Sequence, residues 1–89
     1  MKIPNKLKIG GHTYKVFLKK EWEDSKDEDG YCDVTKNEIV LKASMSQSCK
    51  EVTLLHEIFH ALNSVLDHTV MDSLSEQLYQ VLKDNKLLK

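Results

Sequence analysis

This chain has little with which to staple itself. It holds two cysteines, Cys32 and Cys49, separated by 16 residues, and no C-x-x-C pair. A small exported domain built on disulfides needs more than that, so free thiols in ordinary packing positions are expected. No apolar run approaches the ~20 residues that cross a bilayer. The opening residues, Met1 to Lys6, lack the apolar stretch of an export signal. Charge of one sign is missing too: 13 basic residues face 14 acidic ones, a net of −1. A nucleic-acid binder needs a basic excess on some face. No nucleic-acid partner and no membrane are therefore expected, and a cytoplasmic setting is. There is no repeat and no low-complexity segment. What remains is one small domain, residues 1–89, with a thin core. A bound metal would add usefully to the stability of a chain this size.

The first half of the chain reads as strands. Residues 6–9 alternate polar and apolar, Gly10-Gly11 is a turn signal, and residues 12–19 are rich in Thr, Tyr, Val and Phe. That pattern predicts a hairpin with Tyr14, Val16 and Leu18 on one face and Thr13, Lys15 and Phe17 on the other. Residues 21–30 carry a dense charge run, which predicts a loop. Their spacing does not fit an EF-hand, which requires Gly at the sixth position and Glu at the twelfth. Residues 30–33 and 38–41 predict a second hairpin, turned by Val34-Thr35-Lys36-Asn37.

The second half reads as two helices. Ser48, with Glu51 three residues on, predicts a capping box opening a helix that runs to about residue 66. Its apolar stripe would be Leu55, Ile58, Phe59, Leu62, Val65 and Leu66. Asp67 and His68 make a break. Thr69, followed by Asp72, can open a second helix to about residue 84, with Met71, Leu74, Leu78, Val81 and Leu82 inward. Strands followed by helices predict an α+β domain, a small antiparallel sheet of three to four strands packed on two helices.

The first helix carries His56-Glu57-Ile58-Phe59-His60, the pattern H-E-x-x-H. Residues four apart on a helix lie one above the other, so both imidazoles can aim at one point. Two imidazoles make half of a tetrahedral zinc site. Glu57 is one position off the pair, where a general base for a metal-activated water is needed. A catalytic zinc also needs a third protein ligand. The metzincin continuation fails, because position 63 is Asn and position 66 is Leu. Asp67, His68, Asp72 and Glu76 remain. A short connection makes the helices antiparallel neighbours and brings Glu76 towards the pair, with Asp72 as second candidate. Asp72 would otherwise hydrogen-bond a ligand from behind. Tyr79, one turn after Glu76, is a candidate oxyanion donor. His12 and His68 are expected to be surface histidines.

Residues 52–62, Val-Thr-Leu-Leu-His-Glu-Ile-Phe-His-Ala-Leu, and 74–84, Leu-Ser-Glu-Gln-Leu-Tyr-Gln-Val-Leu-Lys-Asp, resemble small zincin-like metallopeptidases. Phages and prophages of Gram-positive bacteria encode these proteins. The hairpin at 6–14 and residues 30–41 resemble that family's N-terminal half. Such proteins look like minimal gluzincins, with H-E-x-x-H on one helix and a glutamate on the next. The resemblance implies Glu76 as third ligand beside His56 and His60, with Zn2+ as cofactor. It also implies peptide-bond hydrolysis in the cytoplasm of a bacterial host. The expected function is a zinc-dependent metallopeptidase acting on a peptide or protein substrate. In it Glu57 activates a zinc-bound water, and strand 38–41 serves as an edge that aligns the peptide. The alternative is a non-catalytic zincin-like module binding a host or phage protein, its metal structural or vestigial. Neither the oligomeric state nor the substrate follows from the residues.

Overall fold

The structure is a computed structural model that describes residues 2–22, 29–63 and 67–88. Four strands come first, β1 (Lys6–Ile9), β2 (His12–Lys19), β3 (Gly30–Asp33) and β4 (Glu38–Lys42). Two helices follow, α1 (Gln47–Leu62) and α2 (His68–Asp84). The domain is α+β, with the expected strands and helices in the expected order. Residues 23–28 of the predicted charged loop lie outside the described residues, as do Val65 and Leu66 of the predicted stripe. No described helix is long and apolar enough to cross a membrane.

β1 and β2 pair antiparallel, with Ile9 opposite His12. The two-residue link requires positive φ at both positions, and Gly10 (57°) and Gly11 (83°) adopt it without a Cβ penalty. β3 and β4 form the second hairpin. Its turn is locked by Asp33, whose Oδ1 accepts from the Thr35 amide (3.0 Å), the Thr35 hydroxyl (2.6 Å) and the Lys36 amide (3.1 Å).

The sheet order is β1-β2-β4-β3, and β2 pairs with β4 in parallel. The sheet is therefore mixed rather than wholly antiparallel. The connection between β2 and β3 is long enough to carry β3 past β4, so β4 lands between the two. This changes one expectation: residues 38–41 form a central strand and are not free to align a peptide at an edge. The outer strands are β1 and β3. The unbroken triplet Ile39-Val40-Leu41, buried throughout, carries the sequence signal of a strand covered on both faces.

One face of the sheet builds the core. Ile9, Tyr14, Val16, Ile39 and Leu41 pack with Leu54 of α1, and Ile58 and Ala61 close against them. Each such side chain contributes roughly 1.5–3 kcal/mol by leaving water. α1 lies between the sheet and α2, and among the described residues α2 packs on α1 alone. The N-cap of α1 is Ser46, whose hydroxyl accepts from the Cys49 amide at 3.2 Å, so the predicted Ser48–Glu51 box does not form. Glu51 is buried instead.

Both helices are rotated from their predicted apolar faces. On α1 the buried line is Glu51, Leu54 and Glu57, while Leu62 is exposed. On α2 Met71 is buried as expected, together with Ser75 and Tyr79, while Leu74, Leu78 and Val81 are exposed. Ser75 is small and satisfies its own hydroxyl by donating to the Met71 carbonyl (2.7 Å), which permits a close approach to α1. The Tyr79 hydroxyl donates to both carboxyl oxygens of Glu51 (3.3 and 3.4 Å), and Lys83 Nζ donates to the Tyr79 oxygen (3.2 Å). A polar chain from Glu51 through Tyr79 to Lys83 thus crosses the helix pair on the face that α2 turns inward.

Candidate metal centre

The rotation of α2 places the line His68, Asp72 and Glu76, spaced four residues apart, along one wall of a cleft. α1 supplies the opposite wall with Val52, Thr53, His56, Glu57 and His60, and β3 closes an end with Gly30, Tyr31 and Cys32. The volume is about 700 Å³. Gly30 is required at its place: a Cβ there would stand 2.8 Å from the Val40 carbonyl oxygen and 3.0 Å from Thr53 Cγ2.

His56 and His60 converge as the helical spacing demands, with their Nε2 atoms 3.0 Å apart. A tetrahedral zinc with bonds of about 2.0–2.1 Å holds two nitrogens roughly 3.3 Å apart, close to that separation. The third member of the cluster is His68. Donor atoms of His56, His60 and His68 all lie within 4.8 Å of one another, the three-donor set found among the described residues. The His60 and His68 ring centres are 4.6 Å apart, and those of His56 and His68 are 5.5 Å apart. Behind His56, its Nδ1 lies 2.9 Å from Asp72 Oδ1. With Nδ1–H donating there, His56 Nε2 presents its lone pair to the cluster, facing His60 Nε2.

Burial holds the His56 and His60 imidazoles below the ordinary histidine range. Asp72 pulls His56 part of the way back, while the neighbouring histidines push His60 further down. Both rings are thus neutral at neutral pH, the form that binds a metal. Three imidazoles form a donor set of the kind that zinc accepts. Glu57 is 4 % exposed and lines the same cleft. Burial, then the nearby Glu57 and Asp33, push the Cys32 thiol up to about 11, so it remains protonated.

The predicted site residues divide. His56, Glu57, His60, Asp72 and Glu76 all line one cleft. Glu76 is not in the three-histidine set. Tyr79 is not among the cleft residues; it is buried, with its hydroxyl on Glu51. His68, expected at the surface, is exposed and yet joins the cluster. The reason is local. The Asp67 carboxyl accepts from the Thr69 amide at 2.7 Å and caps α2, so the helix opens at His68 rather than Thr69. That ties the imidazole to the first turn, one turn ahead of Asp72. An aspartate before a histidine in a helix-opening position was the available signal. His12 is exposed and lies in a second cavity that shares His60.

Compared with family models, with curated proteins and with solved structures, the chain finds no match.

Proposed function

We propose that this chain is a zinc-dependent hydrolase of peptide bonds, of the small zincin kind that its motifs resemble. One observation carries the reading. Three imidazoles from two helices bring their donor atoms within 4.8 Å of one another, in a cleft that the buried Glu57 also lines. Three protein donors leave the fourth place of a tetrahedral ion for a small molecule. Zinc supplies a Lewis acid for a carbonyl oxygen and makes water acidic near neutral pH.

The side chains supply the rest. His56 and His60 hold the ion, with His68 as third donor. Glu76, the ligand implied by resemblance, lines the same cleft and is the rival for that place. Asp72 fixes the tautomer and orientation of His56. The Glu57 carboxylate accepts a proton from water and returns it to the leaving amine. The outer edge of β3, which borders the cleft, offers backbone groups to an extended peptide.

Zinc titration of metal-free protein tests the site: one zinc per chain is expected, and His60→Ala should lose it. His68→Ala and Glu76→Ala, titrated in parallel, decide the third donor. Glu57→Gln should keep the zinc and lose cleavage of a peptide library. Full cleavage by Glu57→Gln sinks the base assignment. One zinc per chain with no cleavage by the parent replaces the hydrolase with a binding module.

A further inference from the structure

α1 packs on one face of the sheet and α2 packs on α1, so among the described residues no helix covers the opposite face. Side chains alternate along a strand, and the core takes Tyr14, Val16, Ile39 and Leu41. The residues between them therefore point outward. The ladder registers set them in rows across the sheet. The middle row is Phe17, Val40 and Tyr31, on β2, β4 and β3. Val40 is buried, but Phe17 is 43 % exposed and Tyr31 37 %. The Trp22 ring centre stands 6.1 Å from that of Tyr31 with the planes tilted by 36°, so the two rings do not lie face to face. Three aromatic rings gather on a face that the helices leave open.

Lysines stand on both sides of this row. On one side Lys6 and Lys15 are register partners; on the other, Lys19 and Lys42 are. Each pair lies roughly 6–7 Å from the aromatic row along the strands. Lys8 extends the first side. Like charges set directly across a ladder cost stability. Among the described residues, no carboxylate lies within ion-pair distance of these lysines. The acids of this face, Glu38 and Asp33, are half-buried, and Asp33 is closed into its own turn. Five lysines against two carboxylates give the face a positive excess. The chain's net charge of −1 hides it, because Glu57, Asp72 and Glu76 line the cleft between the helices.

We infer that this outer face of the sheet binds single-stranded nucleic acid. Bases stack on Phe17, Tyr31 and Trp22, and phosphates lie against the lysines on either side. The charge calls for a polyanion, and the exposed rings call for one that carries flat groups free to leave their own stack. A duplex hides its base faces, and an acidic peptide offers charge without planes. The inference stands apart from the hydrolase reading and needs no metal.

Fluorescence anisotropy of the full chain with labelled oligothymidylate and oligouridylate reads the binding at low salt. Trp22 is the one tryptophan, so quenching of its emission reports stacking directly. Both single strands should bind and quench, and affinity should fall steeply with salt. The same strands annealed into duplexes should bind at least about tenfold more weakly. Phe17→Leu keeps an apolar cover over Val40 and should weaken single-strand binding by about fivefold or more. Lys15→Glu with Lys19→Glu, both at exposed positions, should weaken it further and flatten the salt dependence. Polyglutamate and phosphatidylserine vesicles are the rival probes and should bind far less tightly. Absence of oligonucleotide binding, binding without quenching, or equal affinity for duplex and single strand overturns the inference. So does single-strand affinity unchanged in either variant, or a rival probe held as tightly as the oligonucleotide.

Discussion

Replacing Tyr79 by phenylalanine separates two roles for one hydroxyl. In the structure that hydroxyl donates to Glu51, which is 4 % exposed, across the interface of α1 and α2. The O···O distances, 3.3 and 3.4 Å, exceed the usual 2.5–3.0 Å, so the bond is weaker than a well-formed one. Removing it leaves a buried carboxyl short of a donor. A hydrogen bond to a charged group contributes about 1.5–3 kcal/mol, and the long geometry puts the expected loss at about 1–2 kcal/mol. For a domain of this size that lowers Tm by roughly 4–8 °C per kcal/mol. Urea unfolding followed by circular dichroism measures the loss. A double-mutant cycle with Glu51→Gln isolates the coupling from other partners of Glu51. Zinc affinity and peptide cleavage by the folded protein should change little. A Tyr79→Phe protein as stable as the parent, but with cleavage down about 100-fold, would refute the structural role. It would restore the oxyanion donor that spacing from Glu76 predicts.

Asp72→Asn should weaken zinc binding by about 10–100-fold in isothermal titration, because the carboxylate no longer orients His56; unchanged affinity would deny that contact its role. Gly30→Ala should cost about 1–3 kcal/mol in urea unfolding, since the new methyl meets the Val40 carbonyl at 2.8 Å. An unshifted midpoint would mean that Gly30 does not approach Val40 of β4 and Thr53 of α1 so closely. The Asp33 carboxyl is held below its ordinary 3.8 by the Thr35 hydroxyl and the Lys36 amide, and the Asp67 carboxyl by Thr69. On acidification the unfolded chain therefore binds these protons first. Their contribution is complete above 3.8 and is lost as pH falls through the lower folded values. The urea midpoint should drop on that limb, and Asp33→Asn should flatten the drop; an equal slope in the variant would contradict the sign.

The elements were legible wherever neighbours in sequence decide them. Gly10-Gly11 places the first hairpin because only glycine takes positive φ there without penalty. Asp33 to Asn37 places the second because a side chain closes that turn on its own backbone. His56 and His60 met because a helix of known pitch brings i and i+4 together. The sheet order was less legible. Residues 38–41 were expected at an edge, and the unalternated Ile39-Val40-Leu41 is instead a central strand with partners on both sides.

The sequence by itself determined two strand hairpins, two helices, and a pair of imidazoles with a glutamate beside them on the first helix. Tertiary structure alone decided which groups stand around that pair. Apolar periodicity turns Leu74, Leu78 and Val81 inward on α2, and they are exposed instead. The inward face is Met71, Ser75 and Tyr79, the last reaching Glu51, 28 residues away along the chain. With that face inward, His68, Asp72 and Glu76 face the cleft. Helix rotation about an axis is set by a difference of a few kcal/mol between competing faces. The difference exists only once both helices are present, so no stretch of either one carries it.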